Sequence, residues 1–190
     1  MSAQVLALGD SLTAGYGLLS GQSFASRLEA LLRLRRPGLV VHNAGVSGDT
    51  SAGGLARLPR LLDRLGRPDM CLVELGANDA IRMVDPAKTQ ANLDAILGEL
   101  ARRGVPALLA GMIAPRFFGT YAMRFNAIFP DLAARHGVPL YPFFLDGVAG
   151  QRGLTLADGI HPNARAIELV AASIAPLVEA TLDRNGRAAA

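Results

Sequence analysis

One cysteine, one lysine and three scattered histidines are all that this 190-residue chain holds of several residue types used to staple or metallate a fold. Cys71 alone cannot close an intrachain disulfide, and in the run Met70-Cys71-Leu72-Val73 its thiol packs as a small hydrophobe. His42, His136 and His161 lack the ligand spacing of a zinc site, so no metal is expected. No apolar run nears the ~20 residues that span a bilayer, so no stable membrane insertion is expected. The longest is Val105 to Pro115. Charge of either sign is sparse: the net value is only +3, and Lys88 is the one lysine among dispersed arginines. No basic stripe interleaves with aromatics, which argues against a nucleic-acid partner. No signal peptide is visible in the sequence, whose first apolar run begins almost at once. The expectation is a cytoplasmic protein as the chain stands, or a periplasmic or secreted one if a leader has been cut away.

What is present is apolar content, 51% of the chain, enough for one compact domain over residues 1–190. The content also excludes a disordered chain. Short apolar runs alternate with helical spacing. Strands are expected at Val5–Leu8, Leu39–Val41, Met70–Leu75, Ala107–Ala110 and Pro139–Tyr141. Between them lie Phe24/Leu28/Leu31/Leu32, Leu55/Leu58/Leu61/Leu62/Leu65, Leu93/Ile96/Leu97/Leu100 and Tyr121/Phe125/Ile128/Phe129/Leu132. Thr50 or Ser51 can cap the second of these helices, in which Pro59 predicts a kink or a shortening. Asp85-Pro86 reads as cap and first residue of the third. A last helix is expected from about Pro162 to Leu182, with a frayed tail from Asn185 to Ala190. This alternation argues an α/β fold, three layers α/β/α, around a five-stranded parallel sheet. The flavodoxin-like order 2-1-3-4-5 is favoured, with its switch point between strands one and three.

The stretch Leu8-Gly9-Asp10-Ser11-Leu12-Thr13 sets a serine at the carboxyl end of the first strand, where ligands of open α/β sheets bind. Taken alone it reads equally as a plain strand-to-helix turn with Asp and Ser as caps. The distant Asp158-Gly159-Ile160-His161-Pro162 changes the balance. A serine is a weak nucleophile until a base takes its proton, and a third group must orient that base. An aspartate three residues before a histidine, across a glycine turn, can hold the imidazole from behind. Ser11, His161 and Asp158 are therefore the catalytic candidates. The second glycine of G-x-S-x-G is missing, so this is not the α/β-hydrolase elbow. An acyl-transfer site also needs donors for the developing oxyanion. The Ser11 N–H, the Gly48 N–H and the Asn78 amide stand at strand ends and supply three. The plainer alternatives are a turn glycine for Gly48 and an Asx-turn for Asn78.

Four blocks in order resemble the SGNH-hydrolase superfamily, the GDSL-type esterases and lipases. They are Gly9-Asp10-Ser11-Leu12, Gly48 within Asn43–Thr50, Gly76-Ala77-Asn78-Asp79, and Asp158-Gly159-Ile160-His161-Pro162. The likeness covers almost the whole chain. The runs Ser47–Ser51, Gly54–Pro59 and Val73–Gly76 are most similar to the bacterial thioesterase I, lysophospholipase L1 and arylesterase group. The resemblance implies an acyl-enzyme hydrolase of aryl, short-chain and thioester substrates that needs no metal or organic cofactor. One departure bears on acyl preference. The group often carries Pro-x-Asn-x-Gly after strand four, where this chain has Pro115-Arg116-Phe117-Phe118-Gly119.

Candidate substrate contacts are Asp10 beside the nucleophile and Ile113, Phe117 and Phe118 in the loop Ile113–Thr120. A second loop, Phe143 to Thr155, can also wall an acyl pocket. Two rivals stand beside the esterase reading. One is a carbohydrate acetylesterase of the same superfamily, which needs a polar cleft. The other is a non-catalytic flavodoxin-like module that uses the Ser11 turn to bind a phosphate.

Overall fold

The computed structural model describes residues 3–188, with side chains as far as Arg184. The strands are β1 (Gln4–Gly9), β2 (Val40–Gly45), β3 (Met70–Glu74), β4 (Ala107–Ala110) and β5 (Leu140–Tyr141). They form one all-parallel sheet in the order β2-β1-β3-β4-β5. Val5 to Leu8 and Met70 to Val73 are buried along their whole length. That is what a parallel strand covered on both faces requires, and it explains why these strands read as unbroken apolar runs.

Short α1 (Ser11–Ala14) and α2 (Phe24–Arg33) follow β1; α3 (Ser51–Leu65) follows β2. Then come α4 (Ala77–Ile81), α5 (Pro86–Arg102), α6 (Thr120–His136) and α7 (Ala164–Ala188). Helices α2 and α7 pack on one another, and α3, α5 and α6 pack in a row. Leu93, Ile96, Leu97 and Leu100 are buried on α5, as their spacing requires. Thr50 caps α3, its hydroxyl accepting from Gly53 N–H, and Asp85 caps α5 through Ala87 N–H. No helix among the described residues is long and apolar enough to cross a membrane.

The strand ends form a row. Gly9 is paired with both Gly45 and Glu74, Glu74 with Ala110, and Ala110 with Tyr141. The loops after β1, β2, β3 and β4 thus leave from one line across the sheet, on the ligand-binding edge of this fold.

Four expectations need correction. Asn43, Ala44 and Gly45 belong to β2 rather than to a loop, because β1 continues to Gly9 and its ladder recruits them. Gly45 is required there: a Cβ would lie 2.2 Å from Ala14 N, where α1 crosses the strand. Of the kink or shortening expected at Pro59, the shortening does not occur: α3 runs through it from Ser51 to Leu65, with Leu58 and Leu62 buried on either side. Helix α7 starts at Ala164, with Asn163 Oδ1 accepting from Ala166 N–H, and its backbone runs to Ala188. The tail expected to fray from Asn185 is helical in its backbone to Ala188, while residues 189 and 190 lie outside the described residues.

Candidate active site

Asp10 follows β1 and caps α1, its Oδ1 accepting from Leu12 N–H at 2.9 Å. That cap turns the chain sharply and sets Ser11 as the first helical residue. An N–H in that position has no acceptor within its own helix. The Ser11 hydroxyl lies 3.1 Å from His161 Nε2. His161 Nδ1 lies 2.6 Å from Asp158 Oδ2. Asp158 Oδ1 also accepts from the backbone N–H groups of Ile160 and His161, at 2.9 and 3.0 Å. The Ile160 N–H bond first, then the two to His161, hold the Asp158 carboxyl down at about 2. Asp158 is therefore an ionised acceptor facing Nδ1, which leaves Nε2 to accept from Ser11 once the proton sits on Nδ1.

Asn78, on α4, donates from Nδ2 to Asp10 Oδ2 at 3.0 Å. Its neighbour Asp79 anchors the helix. The Asp79 carboxylate is buried and accepts from Ser51 N–H and Oγ and from Thr89 Oγ1. Tyr121 Oη donates to the Asp79 carbonyl at 3.3 Å. A second clamp is Arg57, whose guanidinium reaches Asp49, the Ala44 carbonyl and the Gly9 carbonyl at 2.7, 2.6 and 2.8 Å. It ties the ends of β1 and β2 to the loop that carries Gly48. Neither clamp was assigned a role from the sequence, where Asp79 and Arg57 figure only within the block Gly76–Asp79 and the run Gly54–Pro59.

Ser11, Asn78 and His161 line the floor of a cleft of about 460 Å³. Its walls are apolar: Ile81, Met112, Ile113, Phe118, Phe143, Leu145 and Ile160. Ile81, Ile113 and Ile160 are each at least half exposed, at 66%, 51% and 65%, and form an apolar rim. Gly48 has φ of +80° and its carbonyl accepts from Arg82 at 2.8 Å. It is not part of the cleft lining.

Two expected substrate contacts lie elsewhere. Asp10 is fully buried, with both carboxylate oxygens engaged by Leu12 and Asn78, so it has no face toward substrate. Phe117 is 83% exposed and outside the lining, its ring packed edge-on against Phe118 at 4.7 Å. The short 3₁₀ turn Arg116–Phe118 sends the adjacent rings in different directions, so Phe118 forms the wall and also meets Tyr121. Tyr16, Ile81, Met112 and Ile160 went unforeseen. Tyr16 lies against the His161 ring; the signal for it was its place between Gly15 and Gly17, both at positive φ, which fold the chain back over the site.

Beneath the floor is a third buried carboxyl, after those of Asp10 and Asp79. Glu74 Oε2 accepts from Thr13 Oγ1 at 2.7 Å and from Asp10 N–H at 3.3 Å. Burial first, then the nearby Asp10 charge, push Glu74 well above the usual carboxylate range. Burial likewise raises Asp10 to about 6, against the lowering effect of the Leu12 and Asn78 hydrogen bonds.

A hydroxyl, an imidazole and a carboxylate hydrogen-bonded in series, at the switch point of a sheet ordered 2-1-3-4-5, place the chain with the α/β/α serine hydrolases. Comparison with known proteins narrows the class. The profile of the GDSL-like lipase/acylhydrolase family matches residues 7–169, and the chain belongs to that family, the ester hydrolases of SGNH type. Esterase TesA of Pseudomonas aeruginosa is 39% identical over 179 residues, 92% of this chain and 89% of that protein. Thioesterase 1/protease 1/lysophospholipase L1 of Escherichia coli K12 is 39% identical over 168 residues, 88% of this chain and 79% of that one. The psychrotrophic esterase EstA of Pseudoalteromonas sp. has a solved structure that matches with a TM-score of 0.89 at 31% identity. That match covers 96% of this chain and 100% of EstA.

Proposed function

We propose that this hydrolase cleaves acyl esters and thioesters of short to medium chain length through an acyl-enzyme on Ser11. The observation that carries the reading is the relay Ser11 Oγ–His161–Asp158, with spacings of 3.1 and 2.6 Å. His161 takes the hydroxyl proton as Ser11 Oγ attacks the acyl carbon. Asp158 steadies the imidazolium that results. The carbonyl oxygen, now an oxyanion, receives the Ser11 N–H and the Asn78 amide, with the Gly48 N–H as a third candidate. His161 then returns the proton to the departing alkoxide or thiolate. In the second half water gives its proton to His161 and its oxygen to the acyl carbon; as the acyl–Oγ bond breaks, His161 returns that proton to Ser11 Oγ and the acid leaves.

The apolar walls favour an acyl chain over a sugar, which weakens the carbohydrate acetylesterase alternative. The names of the relatives, an esterase and a thioesterase/lysophospholipase, support esters and thioesters as the substrate class. A phosphonate reagent is a suitable probe, because EstA has been solved inhibited by monoethylphosphonate. The expected result is a single adduct mapped to Ser11, with loss of both p-nitrophenyl ester and acyl-CoA hydrolysis. An adduct on another serine, or full activity in Ser11→Ala, contradicts the mechanism.

A further inference from the structure

Asp10 is an expensive residue to keep. It is fully buried, and another buried carboxyl, Glu74, accepts from its backbone N–H. Water is excluded, and no lysine or arginine donates to its carboxylate among the described residues. Capping α1 does not account for it. Oδ1 does that task, and Ser or Asn serves as well in an N-cap.

The other oxygen, Oδ2, holds Asn78 Nδ2 at 3.0 Å. A side-chain amide is nearly symmetric in shape and can turn over, exchanging its NH₂ and carbonyl. An ionised carboxylate only accepts, so it admits the NH₂ group and refuses the carbonyl. One N–H is then held by Asp10, and the second diverges from it at the fixed angle of a planar amide. Asn78 lines the cleft floor beside Ser11 and His161. The α4 backbone needs no help from Asp10, because Asp79 anchors it through Ser51 and Thr89. What Asp10 controls is the orientation of one side-chain amide.

We propose that Asp10 is a positioning residue: its carboxylate fixes Asn78 so that the free N–H faces the oxyanion. The inference rests on the reading of Asn78 as an oxyanion donor, and the test separates the two. Asp10→Asn keeps the cap on Leu12 but offers an NH₂ group to Asn78, so the Asn78 amide turns its carbonyl toward residue 10. Asp10→Ser keeps the cap with a side chain too short to reach Asn78.

Steady-state kinetics on p-nitrophenyl butyrate should be measured for Asp10→Asn, Asp10→Ser, Asn78→Ala and Asp10→Asn/Asn78→Ala. Removing an oxyanion donor costs ~10²–10³ in turnover. Asn78→Ala should lose that much, and the two Asp10 variants roughly tenfold to a hundredfold, short of full removal. KM should change little in all four, since the interaction is made in the transition state. The double variant should be no slower than Asn78→Ala alone, because a positioning residue has nothing left to position. Wild-type kcat in both Asp10 variants beside an impaired Asn78→Ala overturns the inference and leaves the esterase reading intact. Losses that multiply in the double variant also overturn it, since Asp10 then acts elsewhere. Wild-type kcat in Asn78→Ala overturns the donor reading itself.

Discussion

The ring of Tyr16 lies against the imidazole of His161, with centroids 4.4 Å apart and planes tilted by 34°. Aromatic pairs of this kind contribute about 0.5–1.5 kcal/mol beyond the area they bury. The imidazole is therefore held from two directions, by Asp158 along its edge and by Tyr16 against its face. Tyr16→Ala should lower kcat by about two- to tenfold, the rate equivalent of that energy. Tyr16→Phe should keep wild-type turnover, since the contact is made by the ring. A loss in Tyr16→Phe equal to that in Tyr16→Ala would assign the effect to the hydroxyl instead.

Asp158→Asn tests the orienting carboxylate. An amide can present its NH₂ to Nδ1 and leave the proton on Nε2, the wrong side for accepting from Ser11. In serine proteases the equivalent change costs about 10⁴ in turnover, and a loss of about 10³–10⁴ is expected here. Because the wild-type carboxyl is held at about 2, Asp158 stays ionised through the mildly acidic range. No activity transition between pH 4 and 9 should disappear in a way that assigns it to this group. A pH–rate profile of wild type beside Asp158→Asn checks both statements.

Stability should depend on pH through Asp10. Its folded-state carboxyl is raised from 3.8 to about 6, mainly by burial, so between those values the folded protein binds more protons than the unfolded chain. Stability from this group therefore falls as pH rises from about 4 to about 6, and the cost is fully present above that. The displacement corresponds to about 3 kcal/mol. Asp10→Asn removes the charge and should melt higher than wild type at pH 8, although it turns over more slowly. The gain should shrink toward pH 4. Thermal melts at pH 8 and pH 4.5 decide the matter; an equal shift at both would show that the charge is not responsible.

Acyl selectivity should follow Phe118. Each methylene buried in the cleft contributes about 0.8 kcal/mol, close to a fourfold gain in kcat/KM until a wall is met. Phe118→Ala should shift the optimum toward longer chains. Phe117→Ala should leave the profile unchanged, because that ring is exposed outside the lining. The measurement is kcat/KM for p-nitrophenyl esters from acetyl to dodecanoyl in wild type and both variants. Coincident profiles for wild type and Phe118→Ala would show that another side chain sets the limit.

Long periodic segments made the architecture readable. The α5 stripe from Leu93 to Leu100 and the apolar runs of β1 and β3 announce which faces are buried; the sheet order was favoured from the rule for open α/β folds instead. Helices α1 and α4 escaped because four or five residues carry no period; both look like turns, and both bear site residues. Ser11, Asp158 and His161 were legible as residue types at telling positions. Asp10 was misread because a carboxylate beside a nucleophile suggests substrate, and only the backbone shows it turned inward to Leu12 and Asn78. Phe117 and Phe118 were indistinguishable for a similar reason. Neighbouring side chains on an irregular turn have no rule of alternation, so the direction of each depends on its dihedral angles.

The seat of α1 on Gly45 has a consequence for how this enzyme can change. With the Ala14 backbone close enough that even a methyl group would collide, the turn that presents Ser11 has no slack. Any side chain at position 45 would collide with the α1 backbone at Ala14 and Asp10, so α1 or β2 would have to shift. Adaptation to new substrates is therefore channelled away from the strand ends and toward the segment from Ile113 to Thr120. Grafting that segment from another family member is a direct route to altered selectivity, since it carries cleft walls but none of Ser11, Asn78, Asp158 and His161.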